Sequence, residues 1–266
     1  MSKGFPHAAY ESALNGATAM MFLTGSPQSK ARRPISEFNI SEGVKEARRL
    51  GIFDFVVHAP YIINLASPEQ DKWEFGIEML INEINRTAAF HAKNIVVHPG
   101  AYTTSSVNQG IYRIAAAIKK ALAATANINI CLETMAGKGT EMGTTFYQLH
   151  SIIDLVKDER LNVCLDTCHI WDAGYDIKNN TEAVLDHFNQ VIGFDRLKVI
   201  HLNDSLNSCG SHKDRHANIG RGEIGFRPLN FIAHYPAFEN IPKLLETPSG
   251  IYRQEINAIK FNEVII

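Results

Sequence analysis

Short apolar runs, most of them ending in a histidine or carboxylate, recur along this chain, and their spacing limits its fold more than any other feature. They are TAMMFLTG (18–25), FDFVVH (53–58), NIVVH (94–98), INICLE (128–133), LNVCLD (161–166), LKVIH (197–201) and KLLE (243–246). Most are too short for an ordinary helix and rich in β-branched residues. Runs without polar alternation suit strands buried on both faces. Between them lie amphipathic stretches such as 74–92, 111–126 and 144–158. Strand alternating with helix predicts parallel strands joined by right-handed crossovers. No linker or composition break divides the chain, so a single domain over residues 1–266 is expected.

Six of the runs end on His58, His98, Glu133, Asp166, His201 and Glu246, at intervals of 40, 35, 33, 35 and 45 residues. Each interval is one strand plus one helix. In a (β/α)8 TIM barrel the C-terminal strand ends surround one mouth, where catalytic groups sit. Three imidazoles and three carboxylates gathered there call for cations, and divalent metals are the natural counter-charge. His169 follows Asp166 by three residues, and KDRH adds Asp214 and His216. Nine candidate ligands exceed the three or four that one zinc needs, so the count suggests two or three ions.

Each candidate has an ordinary structural reading when taken singly. A histidine ending a strand is commonly a hydrogen-bonded core residue, and a lone glutamate can serve an ion pair. Together they cannot all be read so, because no matching set of Lys or Arg compensates three carboxylates at one mouth. The cysteines point the other way. Cys131 and Cys164 precede Glu133 and Asp166 by two residues, where side chains fill the barrel, and a buried thiol is the default there. Cys168 is expected to point away from the ligands.

Two loops look suited to a polyanion. One, 25–34, carries Lys30, Arg32 and Arg33; the other, 210–225, mixes Lys213, Arg215 and Arg221 with glycines that would let backbone amides approach phosphate. Taken alone, both could be solvated loops. Tyr61 and Ile62 form an aromatic–aliphatic pair on a loop, able to wedge into a base stack or simply to pack locally. The net charge of −2 leaves any nucleic-acid binding to such local patches. No run approaches the roughly 18 apolar residues of a membrane span. Four cysteines without a dense framework, and no secretory signal at the start, fit a reducing cytoplasm.

From about residue 4 to residue 250 the sequence resembles the endonuclease IV family of apurinic/apyrimidinic (AP) endonucleases. The motifs that carry the likeness are MFLTGSPQ, VVHAPYIINLASP, NIVVHPGAY, CLETMAGKGTEMG, VCLDTCHIWDAGYD, HLNDSLNSCGSHKDRHANIGRGEIG and LLETP. The resemblance implies three zinc ions per chain, with manganese able to replace part of the set. His58, His98 and Glu133 would hold one ion. Glu133 would bridge to a second, bound also by Asp166, His201 and Glu246. His169, Asp214 and His216 would hold the third. The implied reaction is hydrolysis of the phosphodiester 5′ to an abasic site in double-stranded DNA, leaving a 3′-hydroxyl and a 5′-deoxyribose phosphate. Glu133, Asp166 and Glu246 are the expected catalytic residues; Gln28, Tyr61, Ile62 and Arg215 are the expected DNA contacts. The family reading is a deoxyribonuclease IV-type hydrolase of base excision repair, expected to act as a monomer.

One departure affects the fold. Eight strands close such a barrel and seven are visible, because the chain runs almost directly into the helical stretch HAAYESALNGA. A missing or truncated first strand would leave the first and last visible strands with open edges and lower the stability. Two competing readings are a xylose-isomerase-like sugar or sugar-phosphate isomerase or epimerase, which needs only one or two divalent ions, and a DNA-damage binding protein with impaired catalysis.

Overall fold

The computed structural model describes residues 1 and 3–264; Ser2, Ile265 and Ile266, part of the expected single domain, lie outside the described residues. Seven strands form one parallel sheet in the order β1 (Ala19–Phe22), β2 (Asp54–His58), β3 (Asn94–Val97), β4 (Asn129–Glu133), β5 (Leu161–Asp166), β6 (Leu197–His201) and β9 (Lys243–Leu244). Two short strands, β7 (Asp204–Ser205) and β8 (His216–Ala217), pair antiparallel in the loop after β6. All seven apolar runs fall on the sheet strands. The helices are α1 (Phe5–Leu14), α2 (Ile40–Arg49), α3 (Gln70–Ala89), α4 (Val107–Ala124), α5 (Phe146–Val156), α6 (Thr167–Asp172), α7 (Thr181–Val191), α8 (Phe226–Ala233) and α9 (Tyr252–Phe261).

Local chemistry sets several of these boundaries. Ser106 and Thr145 are the N-caps of α4 and α5, and each hydroxyl accepts from a backbone N–H three residues on. Asp166 ends β5 and caps α6, its Oδ1 accepting the His169 N–H at 2.8 Å. That cap converts strand to helix within one residue and fixes where His169 begins.

Two apolar layers result. The larger packs the helices on the outer face of the sheet. The smaller, inside the barrel, consists of Val56, Val96, Cys131, Cys164, Val199 and Leu244. Each of these six stands two residues before a strand-end candidate ligand: His58, His98, Glu133, Asp166, His201 and Glu246. Because strand side chains alternate with period two, these six polar residues form the next inward layer, at the C-terminal mouth. The two cysteines are therefore interior packing, as their spacing predicts.

The barrel is open at one seam. Among the described residues no pairing joins β1 to β9, and a cavity of about 630 Å³ lies between them, lined by Ala19 to Met21, Pro242 to Leu245 and the inner faces of α1 and α9. Among the described residues, the edges of β1 and β9 that face this cavity are unpaired, as the count of seven strands predicts. Among the described residues no helix is long and apolar enough to cross a membrane.

Candidate functional site

The mouth gathers all nine residues singled out from strand ends and their following loops. Glu133 is fully buried at its centre. Its Oε2 lies 3.1 Å from His58 Nε2 and 3.2 Å from His98 Nε2, and its Oε1 lies 2.9 Å from His201 Nδ1. His201 Nδ1 also faces Glu246 Oε2 at 3.0 Å and Asp166 Oδ2 at 3.8 Å. Farther along, Asp214 Oδ1 lies 3.1 Å from His169 Nε2 and 3.4 Å from His216 Nε2. Asp166 Oδ2 sits 3.8 Å from His216 Nε2 and so reaches this outer group as well.

The donor atoms fall into groups in which every atom lies within 4.8 Å of the others: His58–His98–Glu133, Glu133–Asp166–His201–Glu246 and His169–Asp214–His216. A fourth group joins Asp166 and His216 to Cys168. Cys168 thus faces the ligands instead of pointing away, because the tight turn of α6 brings its sulfur back under the mouth. Burial pushes its thiol well up, so it stays protonated and acts as packing in the absence of a cation.

The imidazoles are oriented from behind. His58 Nδ1–H donates to the Ala59 carbonyl (2.7 Å), His169 Nδ1–H to the Thr134 carbonyl (2.8 Å) and His216 Nδ1–H to the Glu246 carbonyl (3.1 Å). Each bond aims Nε2 at the carboxylates, where it can carry a proton or, once deprotonated, offer its lone pair to a metal, the arrangement of metal-ligating histidines. The Nε2 of His216 is buried and has no hydrogen-bond partner among the described residues, although it points between Asp166 and Asp214. An orphaned imidazole nitrogen between two carboxylates fits a cation and is otherwise costly.

The electrostatics agree. Burial opposes the charge on Glu133, yet His201, His98 and His169 hold its carboxyl well below the ordinary range. Burial likewise disfavours charged His169, and Asp166, Asp214 and Glu133 overcome it, raising the imidazole well above its usual value. Glu246 is brought down to about 2, His201 outweighing burial. Asp166 moves the other way, raised chiefly by burial. The site is built for positive charge, which protons supply where metal ions do not.

Several neighbours that sequence reading passed over hold these groups. Asn203 donates from Nδ2 to Asp166 Oδ2 (2.7 Å) and accepts the Glu246 N–H on Oδ1 (2.8 Å), joining two ligands from different strands. Lys138 Nζ donates to Asp214 Oδ2 at 2.6 Å. Neither residue sits at a strand end, so the pattern that found the ligands could not find them.

The expected DNA contacts lie around the rim. Tyr61 is half exposed, its ring stacked on His98 with centroids 5.1 Å apart, while Ile62 is partly buried against the core. Gln28 and Arg215 are exposed on their loops. Two expectations for the basic loops are corrected. Arg32 turns inward onto the buried Glu83 carboxylate and is not presented to a polyanion, while Arg33 pairs with Glu37 at the surface. The glycine-rich loop does not offer its amides outward: the N–H groups of Gly220, Gly222, Ile224 and Gly225 all donate to the buried Asp204 carboxylate. Lys30, Lys213 and Arg221 remain exposed.

Comparison with known proteins places this chain in a family. Residues 9–261 match the family described as Xylose isomerase-like TIM barrel. A "Probable endonuclease 4" of Listeria monocytogenes is 49% identical over 243 residues, covering 91% of this chain and 82% of the relative. The crystal structure of endonuclease IV from Thermus thermophilus superposes with a TM-score of 0.86 at 30% identity, over 98% of this chain and 94% of that one. A D-tagatose 3-epimerase-like protein shares the fold alone, with a TM-score of 0.70 at 18% identity over 92% of this chain and 87% of that one. On the strength of the matched family and of relatives at this identity over most of their length, the chain belongs to the endonuclease 4 family of xylose isomerase-like TIM barrels.

Proposed function

We propose that this chain is a zinc-dependent AP endonuclease that hydrolyses the phosphodiester 5′ to an abasic site in duplex DNA, leaving a 3′-hydroxyl and a 5′-deoxyribose phosphate. The observation that carries this reading is the arrangement of nine donors in three groups, two of them sharing Glu133, at one barrel mouth. A single-ion site would leave the outer group without a task. Its membership of a family whose relatives are named endonuclease 4 supports the nuclease over a sugar isomerase.

His58, His98 and Glu133 would hold one zinc; Glu133, Asp166, His201 and Glu246 a second; His169, Asp214 and His216 a third. When bound, the ions supply an activated water at neutral pH and positive charge for the phosphate oxygens. The protein's own side chains do the rest. Glu133 divides its oxygens between two ligand groups and fixes their separation. Glu246 has the most accessible carboxylate of its four-residue group, with a side chain 21% exposed, and would orient the attacking water. Asn203 keeps Asp166 and Glu246 in register.

At the rim, Tyr61, Ile62 and Gln28 would enter the helix at the lesion, with Arg215 on the backbone. An abasic nucleotide lacks a base to unstack, so displacing it from the helix is comparatively easy. The chain would act as a monomer, since one mouth contains every group used. Glu133→Ala and Asp166→Ala are expected to lower incision of a duplex carrying one tetrahydrofuran abasic analogue by at least about 10²–10³-fold. Their far-ultraviolet circular dichroism should stay close to that of the parent protein. Incision at the parent rate by either variant sinks the mechanism.

A further inference from the structure

The outer donor group is held together by a residue that is not itself a donor. Asp172, the last residue of α6, is fully buried. Its carboxylate accepts from Ser205 Oγ at 2.7 Å, Asn207 Nδ2 at 3.2 Å and the backbone N–H of Asp214 at 2.7 Å. Its main-chain carbonyl accepts the N–H of His212 at 3.0 Å. His212 and Asp214 are both left-handed, with φ of 54° and 55°. Residues with a Cβ stay in that region only where surrounding structure holds them. Both strained residues therefore donate to the same aspartate, and the kink at 212–214 is wrapped around it.

The kink turns the Asp214 carboxylate toward His169 and His216. His169 lies one helical turn before Asp172 on α6, so one short helix carries both a donor and the clamp for the other two. The other ligands stand at strand ends fixed by the sheet. The loop between β7 and β8 has other ties: two residue pairs between those strands, bonds that join Gly210 and Asn207 to Trp171, and side-chain bonds from His212 Nδ1 to the Ala136 carbonyl (2.8 Å) and from Lys138 Nζ to Asp214 Oδ2 (2.6 Å). Asp172, however, accepts the backbone N–H groups of both His212 and Asp214. The hydrogen bonds of the Asp172 carboxylate all run to Ser205, Asn207 and Asp214, and none to the ligands of the inner two groups, so its influence ends at the outer one.

We propose that Asp172 is the positioning residue of the third cation: it fixes loop 205–216 so that Asp214 and His216 meet His169, and its loss empties that position while leaving the inner two. The inference rests on the three-cation reading above. Removing a residue that orients metal ligands typically costs about 10- to 100-fold in metal affinity, and that loss is expected for one ion in three.

The test is zinc content per chain after gel filtration, followed by competition with a chromophoric chelator. It compares the parent protein with Asp172→Ala, Asp172→Asn and Trp171→Phe. The last removes the indole N–H bond to the Asn207 carbonyl but leaves every bond to Asp172 in place. The parent and Trp171→Phe are expected to hold three zincs, and Asp172→Ala to keep two and release the third about 10- to 100-fold more readily. Fewer than three zincs in the parent overturns the three-cation reading and the inference with it. Three in the parent, with parent-like retention in Asp172→Ala or equal loss in Trp171→Phe, overturns the positioning role alone. If Asp172→Ala does not fold, Asp172→Asn decides: selective weakening of one zinc supports the role, and uniform weakening of all three contradicts it.

Discussion

The carboxylate of Glu133 gives one oxygen to His58 and His98 and the other to His201, so neither inner donor group can be altered without the other. Asn203 makes the same kind of link one layer out, between Asp166 and Glu246. Asn203→Ala should therefore weaken zinc retention by about 10- to 100-fold, measured by chelator competition, without removing any ligand. Unchanged retention would show that the strands alone set the geometry. Protons are the competing occupants. His169 and His201 are raised well above 6.5, so their contribution to stability is complete below 6.5 and lost as pH rises through the raised values. Asp166, raised by burial, acts in the same direction. Glu246, lowered to about 2, contributes above 4.5 and loses that contribution as pH falls toward 2. The chelated protein should accordingly melt highest between about pH 4.5 and 6.5 and less stably above it. The zinc-loaded protein should gain stability with rising pH, because ligands must shed protons to bind metal. Parallel melting profiles with and without chelator would contradict this. At this scale the six strand-end residues that gather at the mouth were legible because strand alternation fixes which residue faces inward. Asp172 and Asn203 were not, since their partners are backbone and side-chain groups brought near only by the finished fold.

Loops after the strands show the limit of reading elements by composition. Loop 25–34 is rich in positive charge, yet α3 takes part of that charge inward. Glu83 accepts from Thr24 Oγ1 at 2.6 Å and from Arg32, while Arg86 reaches the Thr24 hydroxyl at 2.7 Å. The network anchors the base of the loop that displays Gln28. Glu83→Ala leaves buried guanidinium groups without their carboxylate, and a loss of about 3–5 kcal/mol is expected in chemical denaturation. Binding of abasic duplex should weaken as well, and a variant as stable as the parent would remove the anchoring role. The loop at 218–225 carries the same lesson: its glycines serve the close approach to Asp204, where a Cβ on Gly222 would lie 2.3 Å from the Ser205 carbonyl. Charge and glycine content announced two loops of importance, but not the direction in which their polar groups point.

For the molecule as a whole, the rhythm of strand and helix was enough to foresee the barrel and its open seam, because each βα unit is a local pattern and the count of strands is additive. The ring of ligands lies on the six strands β2 to β6 and β9, away from β1, so the mouth is assembled although the barrel is not closed. An extended segment laid into the seam would pair both open edges and fill the cavity between β1 and β9. A chain lengthened ahead of Gly4 by a short alternating apolar strand should melt several degrees higher, by about 2–4 °C for each kcal/mol gained. No gain on such lengthening counts against the seam as a weak point. Stepwise return of zinc tests most directly whether the mouth works with three ions. Zinc is added to the chelated protein while incision of a tetrahydrofuran-containing duplex is followed. Incision 5′ to the lesion is expected to appear in full only with the third equivalent per chain; full incision before the third equivalent, or none at three equivalents, would contradict it.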